Sequence, residues 1–147
     1  MQQNVSGLKI VNKKSKGDCL LCCAAMLTGR TRNNVLKEVK TEYDKKIKAY
    51  YLPIIEFVKY LNSYGLHYGL TIKPNYIFTD CEKSITIEIS LDRHALVTVP
   101  NTKGPEEFAH AVVWDGYQRK ILDPCFKVPQ LLIHYPKILE WSPISEL

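Results

Sequence analysis

From Cys19 to Leu27 the chain reads CLLCCAAML, nine successive residues that are all apolar or small. Asp18 stands before the run and Thr28-Gly29 after it, which predicts a helix with Asp18 as N-cap and Gly29 as C-cap. A helix that is apolar on every side has no face to offer water, so it must be enclosed by the rest of the fold. The 147 residues suffice for one such core and suit a single domain over 1–147.

The elements around that helix change character at Gly65. Leu8 to Val11 suits a strand or extended arm, and Lys13 to Gly17 a basic loop. Thr31 to Asn34 opens a second helix with Val35, Leu36 and Val39 as its apolar positions. Pro53 suits the first turn of a third, in which Ile54, Ile55, Phe57, Val58 and Leu61 recur at helical spacing. After Gly65, segments 66–72, 85–90, 94–100, 109–115 and 118–122 are rich in Val, Ile, Leu and Thr and predict strands. Asp115-Gly116-Tyr117 supplies the turn of a hairpin between the last two. A short helix is expected over Pro129 to His134, then a closing segment from Ile138 to Trp141. Helices first and strands afterwards predict an α+β fold, with N-terminal helices packed on a C-terminal antiparallel sheet.

Composition excludes several classes. Hydrophobic residues make up 46% and charged residues 24%, as in globular chains. No apolar stretch reaches the roughly 18 residues of a membrane helix. The segment MQQNVSGLKIVNKK lacks the apolar core of a secretory signal. With an odd count of five cysteines, this predicts a cytoplasmic protein with free thiols. Residues 1–50 carry 11 Lys and Arg against 4 Asp and Glu, a net +7 in a chain of net +5. That basic third could hold an acidic protein partner. Nucleic acid is not expected, because no recognised nucleic-acid motif accompanies the charge and acidic residues interrupt it.

Cys19, Cys22 and Cys23 carry the first chemical signal. Cys19-x-x-Cys22 has zinc-ligand spacing, but a structural zinc site usually has a second close pair and none follows, so no metal is expected. A thioredoxin-like motif needs a strand feeding it, whereas a basic loop precedes this one. A thiol at the first turn of a helix, in contrast, sits near the positive end of the dipole and beside unpaired N–H groups, which favour the thiolate. Cys19 holds that position; Cys22 and Cys23 read as core. Asp18 opposes a thiolate unless capping turns its carboxylate away.

A nucleophilic thiol needs a histidine base and a group to orient it. His110 opens the apolar stretch His110-Ala111-Val112-Val113-Trp114, and Asp123 ends the next segment in Ile121-Leu122-Asp123-Pro124. A hairpin sets the start of one strand beside the end of the next, which predicts that Asp123 meets His110. Asp123 would then accept the Nδ1 proton and leave Nε2 facing the thiol. His94 is expected to be packed or at a strand edge, and His67 and His134 have no such partner.

Cys19, His110 and Asp123 lie in two blocks that resemble papain-like cysteine peptidases, most closely the double-glycine (bacteriocin-processing) peptidase family. The first block is Asp18-Cys19-Leu20-Leu21-Cys22-Cys23-Ala24-Ala25-Met26-Leu27, and the second is His110 to Gly116 with Ile121 to Pro124. The resemblance implies a papain-like fold in which Cys19 is the nucleophile, His110 the acid/base and Asp123 the orienter. It also implies cleavage after Gly-Gly. Two positions depart from the family pattern. Leu20 replaces the glycine after the nucleophile, and Lys13 stands where the oxyanion-hole glutamine belongs, with Asn12 one residue earlier. Lys13 and Asn12 are therefore both candidates for the oxyanion hole. The expectation is a cofactor-free cysteine peptidase acting on a peptide or isopeptide bond of a protein or peptide substrate. The alternatives are another thiol-dependent amide-acting enzyme (deamidase, transglutaminase or amidase) or a degenerate module that binds through the basic N-terminal face.

Overall fold

The apolar run forms α1 (Cys19–Thr28), and the remaining elements enclose it. The computed structural model describes residues 7–73, 93–100 and 109–147. Among them, α1 is followed by α2 (Arg32–Glu38), β1 (Glu42–Asp44), β2 (Ala49–Tyr51), α3 (Ile54–Ser63), β3 (Leu66–Tyr68), β4 (His94–Pro100), β5 (Ala109–Asp115), β6 (Lys120–Leu122) and β7 (Glu140–Glu146). The fold is α+β. The expected strand over 85–90 and Cys81 lie outside the described residues. No helix among the described residues is long and apolar enough to cross a membrane.

Leu21 to Leu27 are all buried, as a run without polar relief requires. Gly29 closes α1 in the left-handed region (φ 72°), where glycine carries no Cβ penalty, and its N–H reaches Ala25 O. Thr31 caps α2 by accepting from Asn34 N at 3.1 Å. In α3 the buried residues are Phe57, Tyr60 and Leu61, whereas Ile54 and Ile55 are exposed. The third-helix stripe is thus narrower than expected, because only positions at i, i+3 and i+4 share the inner face.

A five-stranded antiparallel sheet of order β3-β7-β4-β5-β6 backs the helices. Strand alternation sends Leu96, Ala111, Val113, Leu122 and Ile144 toward α1, α2 and α3. Ala95, Val97, Val99, Val112 and Trp114 form a second buried layer on the other face with Ile121, Ile138 and Trp141. The interior strands β4 and β5 therefore read as apolar runs rather than alternating ones. The last strand in the chain, β7, lies inside the sheet, pairing with β3 on one side and β4 on the other. It runs well past the Trp141 expected from sequence and includes Pro143, a residue that cannot donate to a ladder.

The expected helix over Pro129 to His134 is a single 3-10 turn at Leu132–His134. Gln130 is committed to the sheet edge instead, exchanging N–H···O bonds of 2.7 and 2.8 Å with Ile121. The Asp115-Gly116 hairpin has a four-residue loop, since Asp115 pairs with Lys120. Asp115 Oδ1 accepts from Tyr117 N at 2.8 Å and Gln118 N at 3.1 Å, holding that loop in shape.

A second hairpin, β1–β2, falls in the charged stretch that sequence reading left without structure. It lies against the loop before Cys19: a Cβ at Gly17 would collide with the backbone carbonyl of Tyr50. Gly17→Ala is expected to cost about 1–3 kcal/mol, because backbone on both sides leaves no flexible group to yield. A urea melt measures it, and an unchanged midpoint would show that the hairpin does not press on this loop.

Candidate active site

Helix α1 packs on β5, which brings its first turn to the start of that strand. There the His110 imidazole and the backbone N–H groups of Ala111 and Leu20 act on the Cys19 thiol and favour its charged form. His110 Nε2 meets Asp123 Oδ1 at 2.7 Å. Cys19, His110 and Asp123 are thus brought together.

The ring is used the other way round from the sequence expectation. Asp123 takes Nε2, not Nδ1, and Nδ1 is the nitrogen left for the thiol. The reason lies beyond β6, where Phe126 N reaches back to Asp123 O at 3.0 Å in a tight turn. That turn presents the carboxylate to the far edge of the imidazole. Asp123 is buried, and it also accepts from Cys125 N at 2.9 Å and Tyr135 Oη at 2.7 Å.

The environment separates the thiols. Burial pushes the Cys19 thiol up, but the His110 hydrogen bond, the Ala111 and Leu20 N–H groups and the His110 charge outweigh it, so its pKa lies below the ordinary value. Burial and the Asp18 charge push Cys22 up to about 12. Burial likewise holds Cys23 well above its usual range, and burial with the Asp123 charge raises Cys125. Burial pulls His110 down, yet its bonds to Asp123 and Cys19 and their charges raise it to about 9. For Asp123 burial raises the pKa, and the His110, Cys125 and Tyr135 hydrogen bonds and the His110 charge bring it below the carboxylate range. Of the four described cysteines, only Cys19 has its thiol pKa brought below the ordinary value.

Asp18 does not cap α1. Its backbone is already αR (φ −84°, ψ −9°) and its carboxylate makes no cap bond to the helix. It accepts instead from Lys14 N (2.9 Å), Ser15 N (3.1 Å), Ser15 Oγ (2.9 Å) and Arg32 Nε (2.6 Å). The negative charge beside Cys19 is thereby turned away and paired. No side chain caps the first turn of α1, and the Leu20 N–H there favours the Cys19 thiolate.

The two oxyanion candidates separate. Asn12 Nδ2 donates to Pro124 O at 3.0 Å and Phe126 O at 2.8 Å, so both amide hydrogens tie down the Asp123 turn and neither is free for an oxyanion. Lys13 N adds a third tie, to Pro124 O at 3.1 Å, while the Lys13 side chain lines the same cleft as Cys125 and its charge favours that thiolate. A cleft of about 370 Å³ opens on the Nε2 side of His110, lined by Lys13, Val99, Asp123, Cys125, Phe126 and Tyr135 among others. Cys19 does not line it.

The remaining histidines stand apart from the thiol. His94 is packed in the interior, its Nδ1 accepting from Gly116 N at 3.1 Å. His67 is exposed on β3, and His134 lines the far part of the cleft. Two residues that sequence reading left without a role, Tyr135 and Cys125, belong to the site. The pairing of Val113 with Leu122, continued outward, sets Cys125 opposite His110, so hairpin register held a signal for it. Tyr135 arrives from the tail, where no local pattern marks it.

No protein-family model matches this chain, and no curated protein matches it.

Proposed function

We propose that this protein is a papain-like cysteine peptidase that cleaves a peptide or isopeptide bond, after Gly-Gly in a protein tail or leader. The observation that carries the reading is His110, which favours the Cys19 thiolate and meets a buried Asp123 through Nε2 at 2.7 Å. In that arrangement the resting pair is a thiolate and an imidazolium. The Cys19 sulfur attacks the carbonyl carbon; His110 Nδ1 passes its proton to the leaving amine; water, deprotonated by the same nitrogen, releases the acyl group and restores the thiolate–imidazolium pair. Asp123 offsets the imidazolium charge and holds the ring plane. The Cys19 backbone N–H, at the unpaired end of α1, supplies one oxyanion donor, and Lys13 is the candidate for the second.

Activity is expected to fall as pH rises through about 9, where His110 loses the proton the leaving amine needs. On the acid side it should persist below the ordinary thiol range, because the Cys19 pKa is lowered. A pH–rate profile checks both limbs, and a rate that climbs steadily to pH 10 would contradict the ion pair. Substrates emerge from comparing protein termini and conjugates in cells that express the wild type or Cys19→Ala. New termini after Gly-Gly, or lost conjugates, confined to the wild type are the expected result. Identical proteomes, with Cys19 labelled by iodoacetamide no faster than Cys125, would overturn the proposal.

A further inference from the structure

The side of His110 turned away from Cys19 holds a second group of ligating atoms. His110 Nε2 lies 3.8 Å from Cys125 Sγ and 2.7 Å from Asp123 Oδ1, and one ligand atom from each of the three residues lies within 4.8 Å of the others. A tetrahedral zinc ion bound about 2.0–2.3 Å from nitrogen, oxygen and sulfur donors sets those donors roughly 3.3–3.8 Å apart. The nitrogen–sulfur spacing already meets this, and Asp123 need swing outward by less than about 1 Å. We infer that His110, Asp123 and Cys125 form a three-ligand site for a zinc-class divalent ion, with a fourth position open to water in the cleft.

The supports around the trio suit such a site. Asp123 and Cys125 come from one tight turn, which Asn12 and the Lys13 backbone pin to the start of the chain, so two ligands are preset before an ion arrives. Tyr135 Oη donates to Asp123 Oδ2 at 2.7 Å, the kind of outer bond that orients a ligating carboxylate. Thiolate, imidazole and carboxylate together favour zinc or cobalt over magnesium or calcium. The cleft of about 370 Å³ admits a hydrated ion, and Cys125 is exposed to it. Spacing along the chain predicts no metal, because no two close ligand pairs occur in it; the β5–β6 hairpin sets His110 beside Asp123 and Cys125.

Binding exchanges protons for the ion. The Nε2 proton of His110 and the Cys125 thiol proton go to solvent, and nothing is oxidised or reduced. An imidazole metallated at Nε2 keeps its Nδ1 proton and has no lone pair with which to accept one from a thiol or water. The ion also takes Asp123 from the ring. Occupancy would therefore switch off His110 as a base; this consequence rests on the peptidase reading, whereas the binding site does not.

Cobalt(II) titration of the reduced, metal-free protein tests the site through the thiolate-to-cobalt charge-transfer absorption. One equivalent should develop the band in the wild type and in Cys19→Ala, and Cys125→Ser should abolish it while leaving the melting curve unchanged. A band that survives Cys125→Ser, or vanishes in Cys19→Ala, would overturn the assignment by moving the ion to Cys19. A wild type without any band would overturn it too. Zinc should inhibit turnover in the wild type at concentrations at least tenfold below those needed for Cys125→Ser. If cobalt binds as expected but no turnover exists to inhibit, the metal site stands and the peptidase reading falls.

Discussion

In a His110→Ala protein, Cys19 is expected to lose its selective reaction with iodoacetamide at neutral pH, and turnover is expected to fall by about 10²–10⁴. Burial pushes this thiol up, and the His110 imidazole comes first among the influences that bring it down. Without the imidazole, burial and two backbone N–H groups remain, and each unit of rise in a thiol pKa removes about nine-tenths of the thiolate at neutral pH. In the wild type, Cys19 should label ahead of Cys22, Cys23 and Cys125, all of which are held up. Mass spectrometry of the labelled peptides after a short exposure reads the order directly. His110 sits at the strand's start rather than in the deep core, so the variant should fold, and circular dichroism with a thermal melt confirms that. Wild-type labelling of Cys19 in folded His110→Ala would show that the thiol is not supported by this histidine and would sink its assignment as the base.

Asp18→Ala is expected to lower stability by about 3 kcal/mol, a shift of roughly 6–12 °C in Tm for a chain of this size. Asp18 is buried, accepts four hydrogen bonds and pairs with an Arg32 side chain that is itself only 16% exposed. Its removal leaves two backbone N–H groups and a largely covered guanidinium without their acceptor, which costs more than the pair contributes when intact. Acid provides an independent check. Burial raises the Asp18 pKa, but the Arg32, Lys14 and Ser15 bonds bring it below the ordinary value, so its stabilisation is present above the unfolded carboxylate range and is lost as pH falls through the folded pKa. The wild type should therefore lose more stability between about pH 5 and pH 2 than Asp18→Ala does. Parallel acid-loss curves for the two proteins would show that Asp18 is not bound as described.

Local pattern explains which parts of this architecture could be read in advance. An apolar run bounded by Asp18 and Gly29 admits little besides a buried helix, and α1 is that helix with its glycine C-cap. Strands β4 and β5 appear at the expected limits because buried strands write themselves as continuous apolar runs. The meeting of His110 and Asp123 was legible because a hairpin relates its two strands by short-range geometry. What escaped lacked such a signature. The β1–β2 hairpin is charged and its strands are three residues long, so it imitates a solvated loop. Pro143 disguised β7, whose two neighbours β3 and β4 are remote in the chain.

The sequence by itself determined a buried helix led by Cys19, a histidine and an aspartate joined through a hairpin, and an order of elements that sums to α+β. Each depends on contacts within one element or between neighbours in sequence, where periodicity and turn chemistry suffice. Tertiary structure alone decided which imidazole nitrogen meets Asp123, where the Asp18 charge points, and that Asn12 is a tie rather than an oxyanion donor. It also decided that Cys125 meets the His110 ring and that Tyr135 meets the Asp123 carboxylate. Those outcomes turn on directions of side chains brought together across many residues, and no local pattern encodes a direction.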